Sequence, residues 1–474
     1  MRVLSPAFSH PSFVKALILA LGWIQTRGVH AVTQALVETG SAGRRHHASF
    51  HRFFSRDRWD PDVLGHLMFE KIVAWLVEPG APIHLVLDDT LTAKKGPRIF
   101  GIGAHLDAVK SSKKHRVFSF GHVWVVLSVV VHLRWSRRPW ALPILFRLYR
   151  TETTARRRHG RYFKKTEFGR QMLDTVRSWM PEATFYLTAD IEYSNGTLLR
   201  GLGDKVHMIG SLKHNAALHA PPEPRVPGQR GRPRKKGDRL PTPLALTKST
   251  FQPWRKIQAF IYGQVQAVEY KTLDALWYGV AGDRLLRIVI VRVSRGAVPV
   301  RTFFSTDCSM DVPTILELYA GRWSTEVCFR DLKQLLGFGD SQARGKTAVE
   351  RTAPFIGYVY DLLVLWFASH GTDSSPLATP PLRPWYPHKS GFCFADILRA
   401  AQRVLDAYDI FDLSRAHEAL SKKLALHRRG PALSTSGPPL PHNGESRVRT
   451  APRPLAETHG GGAVGGDECS PSPP

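Results

Sequence analysis

The 474-residue sequence has little cysteine, an excess of basic over acidic residues, and no long hydrophobic run. Its four cysteines are far apart and form no C-x-x-C pair, so they indicate neither a disulfide framework nor a zinc site. The longest apolar runs, at 13–24 and 123–133, fall short of the roughly 20 residues that span a bilayer. We therefore expect a cytoplasmic protein without membrane contact.

Among the charged residues, the basic ones outnumber the acidic ones. Lys and Arg number 66 against 39 Asp and Glu, which gives a formal charge of +27 and a pI near 10.3. Cations that neutralise phosphates release counterions, so a charge of this size predicts a polyanionic partner. A hydrophobic fraction of 43% is that of a globular protein and excludes a chain that is disordered throughout. Charge alone does not indicate an enzyme.

Residues 1–80 have helical periodicity, and we expect them to form a helical, DNA-binding domain. Between its apolar helices lies a basic and aromatic stretch at 44–54. Two interpretations stay open for this stretch. It is either a surface for DNA or a solvated surface whose aromatic side chains reach into the core.

The rest of the chain reads as four further segments. Residues 81–209 alternate strands with a helix, which predicts an α/β core. Residues 210–308 predict a mostly β insertion with a flexible basic loop at 220–242. Residues 309–427 predict the second part of the core and the C-terminal helices. The last segment, 428–474, contains 9 Pro and 8 Gly and predicts a disordered tail.

One segment, 319–333, carries the strongest chemical signal. At 100° per residue, Tyr319, Arg322, Glu326 and Lys333 share a helix stripe about 60° wide, while apolar residues cover most other sides. A carboxylate flanked by two cations and a phenol suits phosphodiester chemistry. Metal-dependent phosphoryl transfer commonly uses two Mg²⁺ ions held by carboxylates, so further acids are needed.

Two aspartates are the natural suppliers of those carboxylates. Asp88 follows the apolar run 83–87, and Asp190 follows the run 184–189, so each is predicted to end a strand of the same core. Asp89 is adjacent to Asp88 and leaves the choice between them open. Together with Glu326 the aspartates predict a metal site, where each alone would be an ordinary turn or cap residue.

The motifs Asp88-x-Thr90, an isolated Asp190 after a strand, and Tyr319-x2-Arg322-x3-Glu326-x6-Lys333 resemble the DDE transposases of bacterial insertion sequences. The resemblance is to the branch with the Y-R-E-K signature and covers roughly residues 45–400. It implies an α/β, RNase H-like catalytic core interrupted by a mostly β insertion domain, with an N-terminal helical domain. Gly321 departs from the family pattern and costs about 1 kcal/mol relative to Ala in a helix interior.

The resemblance also implies roles. Asp88, Asp190 and Glu326 would bind two Mg²⁺ ions, with Mn²⁺ as a substitute. Asp88 is preferred to Asp89 because the family pattern is D-x-T. Tyr319, Arg322 and Lys333 would hold transposon-end phosphates. The partners would be the transposon ends and target DNA, bound by a homodimer that is associated with the bacterial nucleoid when active.

Other features allow two interpretations. Trp254 and Trp277 could stack on a flipped base or could be core residues. Cations of the basic loop, namely Arg230, Arg232, Arg234, Lys235 and Lys236, are expected to bind DNA. Within it, Arg230-Gly231-Arg232-Pro233 resembles an AT-hook or simply contacts backbone phosphates. The stretch 339–347 departs from a phosphate-binding loop in spacing, so we expect no nucleotide cofactor.

The leading hypothesis is a cut-and-paste transposase, an enzyme that cleaves the element's ends and transfers the strands into target DNA. Two alternatives remain. One is a catalytically inactive DNA-binding descendant or inhibitor of transposition, and the other is a structure-selective RNase H-like nuclease.

Overall fold

The computed structural model describes residues 1–407, apart from 97, 108, 113, 158–159, 226–230, 262–263, 294–299, 371–383 and 386–390. Arg230 of the basic loop, the stretch 408–427 and the tail 428–474 lie outside the described residues.

The N-terminal part is helical, as the periodicity predicts. After a 3-10 helix at Arg2–Ala7 come α1 (His10–Gln25), α2 (Val32–Glu38), α3 (His47–Ser55) and α4 (Pro61–Leu76). Helix α4 begins at Pro61, where the Asp60 carboxylate accepts a hydrogen bond from the Asp62 backbone N–H at 2.8 Å.

The basic and aromatic stretch 44–54 divides into two faces in α3. Phe50, Phe53 and Phe54 are buried, and Phe53 stacks on Trp59 with ring centroids 5.0 Å apart. Arg52 is exposed on the opposite face. The aromatic residues are therefore core anchors. They belong to the hydrophobic core that also holds the sheet, so the division at residue 80 stays a prediction about independent folding units.

A mixed sheet of ten strands forms the centre of the described part of the chain. The strand order is β2-β3-β1-β5-β6-β10-β9-β8-β7, with β4 paired to β3. Strands β1, β5 and β6 are parallel, and the other pairings are antiparallel. The strands are β1 (Ile83–Ala93), β2 (Gly103–Leu106), β3 (Phe118–Val131), β4 (Trp140–Tyr149), β5 (Phe185–Ala189), β6 (Val206–Ser211), β7 (Arg255–Ile261), β8 (Gln264–Leu276), β9 (Leu285–Val293) and β10 (Arg301–Ser305).

The α/β class is confirmed, and the large mixed sheet is consistent with an RNase H-like fold. The predicted β-rich segment 210–308 holds β7 to β10. These strands continue the same sheet, because β10 pairs with β6. Whether this segment is a separate insertion domain stays a prediction.

Helices cover the sheet between and after the strands. Helix α6 packs against β3 and β4, and α11 packs against β1 and β4. The helices after α4 are α5 (Glu152–Arg157), α6 (Lys165–Trp179), α7 (Gly196–Leu199), α8 (Pro243–Lys248), α9 (Tyr278–Ala281), α10 (Val312–Gly321), α11 (Trp323–Leu335), α12 (Lys346–His370) and α13 (Phe394–Asp406), with a 3-10 helix at Ile191–Tyr193.

Helix α12 is the one described helix that is long and apolar enough to cross a bilayer, but most of its apolar stretch is buried inside the fold. It packs on β4, α3 and α4, as a core helix does. The helix begins at Lys346, and Pro354 lies inside it.

Candidate active site

Asp88 and Asp190 lie side by side on neighbouring parallel strands. The register pairs Leu87 of β1 with Ala189 of β5, and each aspartate follows one residue later. Strand β1 does not end at Asp88 as predicted, but continues to Ala93, because its far half pairs with β3. The two carboxylates therefore meet where the parallel pairing stops. Asp190 also caps the next 3-10 helix, its Oδ1 accepting from the Ile191 N–H at 2.6 Å.

Arg322 joins the first and third acids. Its Nη1 donates to Asp88 Oδ2 at 2.7 Å, and its Nη2 donates to Glu326 Oε1 at 2.9 Å. The side chains of Arg322 and Asp88 are each 16% exposed, whereas Glu326 is 38% exposed. One guanidinium thus holds two carboxylates that lie on different elements.

The predicted continuous helix through 319–333 is wrong at one point, since α10 ends at Gly321 and α11 begins at Trp323. Around the junction the backbone bonds span three residues, from Arg322 N to Tyr319 O and from Thr325 N to Arg322 O. Gly321 is a poor helix former, which agrees with a break there. Arg322 and Glu326 remain four residues apart and still face each other.

Burial raises the pKa of Asp88 to about 7, although the Arg322 guanidinium acts in the opposite direction. The neighbouring Asp89 and Asp190 carboxylates also raise this pKa. Asp88 is therefore poised to exchange a proton near neutral pH. The positive charge of Arg322 interacts with Asp190 as well, so the three acids surround one cation.

Asp89 belongs to a different set of contacts. Successive side chains of a strand point to opposite faces, so Asp89 points away from Asp88. Its carboxylate pairs with Lys165 at 3.0 Å and accepts a hydrogen bond from the Tyr193 hydroxyl at 2.8 Å. Sequence reasoning missed this network, because its members are 76 and 104 residues away from Asp89 in the chain.

The other two signature residues lie on either side of Arg322. The Tyr319 ring packs on Phe303 with centroids 4.5 Å apart, and the Arg322 guanidinium lies 5.9 Å from its centre. Lys333 is exposed near the C-terminal end of α11. Tyr319 and Arg322 therefore lie close to Glu326 on two successive helices, and the shared role of the four signature residues stays a prediction.

The described cations of the basic loop are exposed and contact other elements. Arg234 pairs with Asp238 at 3.2 Å. Lys236 lies 3.2 Å from His219 Nε2 and 5.4 Å from the centre of the Tyr278 ring. Arg232 and Lys235 are also exposed. None of the contacts described for these four cations involves Asp88, Asp190 or Glu326, so their role in binding DNA stays a prediction.

The two tryptophans make contacts that favour the structural interpretation. Trp254 has Arg292 at 4.2 Å and Lys271 at 4.9 Å from its ring centre. Trp277 packs on Phe304, with ring centroids 6.1 Å apart. Both rings are partly buried against the main core.

Within the described part of the chain, no group of three His, Cys, Asp or Glu side chains is close enough to hold a metal ion. The donors nevertheless fit a divalent cation in kind, because all are carboxylates and they converge on one positive group. Arg322 Nε is buried and has no hydrogen-bond partner among the described residues. The Arg322 guanidinium balances part of the negative charge of Asp88 and Glu326, and its Nε is a donor still without an acceptor among the described residues.

A family model described as DDE superfamily endonuclease matches residues 4–270. The match includes Asp88 and Asp190 and ends before Tyr319, Arg322 and Glu326. No curated protein matches the chain.

Proposed function

Because the chain belongs to the DDE superfamily endonucleases, we propose that it is a DNA transposase of an insertion sequence. It would cut DNA at the element's ends and join the freed strands to target DNA. The observation that carries this proposal is the convergence of Asp88, Asp190 and Glu326 on Arg322.

Asp88, Asp190 and Glu326 would hold two Mg²⁺ ions, for which Mn²⁺ could substitute. Such ions, when bound, activate water and stabilise charge on the attacking and leaving oxygens. Asp88 is favoured over Asp89 because it contacts Arg322 and lies beside Asp190, whereas Asp89 is occupied by Lys165 and Tyr193. With its pKa raised to about 7 by burial, Asp88 keeps its proton more strongly than an ordinary aspartate, and it would have to lose that proton to bind a metal ion.

Arg322, Tyr319 and Lys333 would hold the phosphates of the element's end. A guanidinium binds phosphate and carboxylate through the same planar fork, so Arg322 can release the acids and take a phosphate oxygen. Its buried Nε supplies a further donor for that contact. The exposed ammonium of Lys333 would contact the strand farther along α11.

DNA is the substrate that this family implies, and the chain's charge of +27 favours it. The exposed cations Arg232, Arg234, Lys235 and Lys236, together with Arg230, would contact DNA outside the catalytic groove. Cutting two ends and joining them requires two active sites, so we propose a homodimer in the active complex, located in the bacterial cytoplasm at the nucleoid.

A second candidate is a DNA-binding descendant that no longer cleaves. The observation that favours it is the Arg322 bridge between two of the three acids, since the described carboxylates are not gathered for a metal ion. A structure-selective nuclease differs from both by cutting DNA without regard to terminal repeats.

The test compares Asp88→Asn with Asp89→Asn, two neighbouring isosteric changes on opposite faces of β1. Purified protein is incubated with Mg²⁺ and DNA that bears the element's ends. We expect wild type and Asp89→Asn to cut and join the ends, and Asp88→Asn and Glu326→Gln to bind DNA without cutting it. Equal cutting by Asp88→Asn and wild type would contradict the assignment. A wild-type protein that binds but never cuts would indicate the inactive descendant.

A further inference from the structure

A β-hairpin beyond the active site exposes aromatic side chains to solvent. It consists of β2 (Gly103–Leu106) and the first residues of β3, and we call it the β2–β3 hairpin. Phe118 is 62% exposed, Phe120 65% and Leu106 51%. Leu106 pairs directly with Phe118, and Ala104 with Phe120, so these side chains form one apolar face.

This apolar face is on the same side of the sheet as Asp88. Residues directly opposite in antiparallel strands share a face, and every second residue along a strand does so. Asp88 is opposite Val126, and Thr92 is opposite His122, two residues from Phe120. The face of the sheet that holds Asp88 therefore continues along β3 to Phe120 and Phe118, and it is covered at Trp124 and His122 before it becomes exposed at the hairpin.

The distance from Asp88 to the two exposed phenylalanines suits a bound nucleic acid. The Lys94 N–H donates to Phe120 O at 3.0 Å, so Phe120 is level with a residue six positions from Asp88. At about 3.3 Å per strand residue, Phe120 is roughly 20 Å and Phe118 roughly 26 Å from Asp88 along the strand. In double-stranded DNA that distance corresponds to about six to eight base-pair steps at 3.4 Å each, and an unpaired strand can cover it with fewer nucleotides because it can extend further per step.

Lys333 lies between the three acids and the β2–β3 hairpin. It is seven residues beyond Glu326, or roughly 10 Å along α11. Although Lys333 is exposed on α11, partial desolvation lowers its pKa, while the carboxylate of Asp107, at the base of the β2–β3 hairpin, acts in the opposite direction. This agrees with α11 leading from the acids towards the hairpin.

The turn of the hairpin is basic in sequence. Residues 107–117 contain four Lys or Arg and one acid, Asp107. Asp107 is held by the Ser119 hydroxyl at 2.7 Å and by Lys110 at 3.6 Å. Lys114 and Arg116 are exposed and have no ion-pair partner among the residues that the structure describes.

From this juxtaposition we infer that the β2–β3 hairpin is a docking surface for unpaired DNA. Bases would stack on Phe118 and Phe120, and phosphates would bind Lys114 and Arg116. Aromatic rings interleaved with cations bind single strands in this way, because every base has an aromatic face. A second copy of the chain is disfavoured as the occupant, since it would bring more positive charge against these cations. The inference rests on the proposed function for its substrate.

The test measures binding of fluorescent DNA by anisotropy in EDTA, so that no cleavage occurs. One probe is a 20-base-pair duplex and the other is a forked duplex with a 12-nucleotide unpaired arm. The variant Phe118→Ala/Phe120→Ala removes two exposed rings, and Phe251→Ala is the control because Phe251 is also exposed but lies elsewhere.

We expect the double variant to bind the forked DNA at least tenfold more weakly and the duplex within twofold of wild type. We expect Phe251→Ala to bind both probes as wild type does. Lys114→Gln/Arg116→Gln should weaken binding to both probes and reduce the salt dependence.

Equal weakening on both probes, or none on either, would overturn the inference. So would a wild-type dimer in sedimentation that becomes monomeric in the double variant, because the apolar face would then bind a second copy. Failure of the proposed function is a separate result. In that case the wild type would not cleave element ends in Mg²⁺, while the binding difference between the probes would remain.

Discussion

The Arg322 bridge provides a quantitative test of how the site is held together. Replacing Arg322 by Gln removes the cation but keeps a polar side chain. The bond to Asp88, at 2.7 Å between side chains that are 16% exposed, should contribute about 2 to 3 kcal/mol. The bond to Glu326 contributes about 0.5 kcal/mol, because this carboxylate is 38% exposed and screened by water. The expected loss in free energy of unfolding is about 3 kcal/mol.

This loss should depend on pH. Burial raises the pKa of Asp88 to about 7, above its ordinary value, so Asp88 is mostly ionised at pH 8 and mostly protonated at pH 6. A neutral carboxyl group interacts weakly with a guanidinium. The difference in free energy of unfolding between wild type and Arg322→Gln should therefore reach its full size of about 3 kcal/mol at pH 8 and be smaller at pH 6.

The assay is urea denaturation in EDTA at both pH values. The matched control is Arg156→Gln, which removes an arginine that also lies 2.6 Å from a carboxylate four residues away, but in an exposed pair with Glu152. We expect a loss below about 0.5 kcal/mol for the control. A similarly small loss for Arg322→Gln at pH 8 would refute the reasoning, because it would show that the bridge is fully solvated.

Two further predictions concern the core. Burial lowers the pKa of His122 to about 4, so the unfolded state takes up a proton first as the pH falls below 6.5 and the folded state loses stability. Between pH 7 and pH 4, wild type should lose up to about 3 kcal/mol relative to His122→Gln in urea denaturation, and a pH-independent difference would contradict the shift. A Cβ on Gly22 would lie 2.2 Å from the Ala35 carbonyl oxygen, so Gly22→Ala should lower stability by about 1 to 3 kcal/mol. Gly28→Ala, where a Cβ meets nothing within 4 Å, should change thermal stability little, and equal effects of the two changes would argue against this close packing.

Local patterns were enough to predict much of the fold. Apolar spacing predicted a helical N-terminal segment, which the structure divides into a 3-10 helix and α1 to α4. Apolar runs at 83–87 and 184–189 predicted β1 and β5, because these strands are largely buried. The family match supports the DDE endonuclease class that the spacing of the acids indicated.

Tertiary contacts decided what local patterns could not. The spacing of four residues predicted that Arg322 and Glu326 face each other, but the pairing of Arg322 with Asp88 joins residues 234 positions apart. The first residues of β3 are exposed although they are apolar, because no described element covers that end of the strand. The partners of Asp89 could not be predicted from local patterns either, because they come from α6 and from the 3-10 helix after β5.

The central claim is that Asp88, Asp190 and Glu326 together hold the catalytic metal. Iron-mediated backbone cleavage tests it directly: Fe²⁺ replaces Mg²⁺, and hydroxyl radicals generated at the bound ion cut the nearby chain. We expect cuts near residues 88, 190 and 326 in the DNA-bound protein, suppressed by excess Mg²⁺ and lost in Glu326→Gln. Cuts at any other set of positions, or a pattern unchanged in Glu326→Gln, would contradict it.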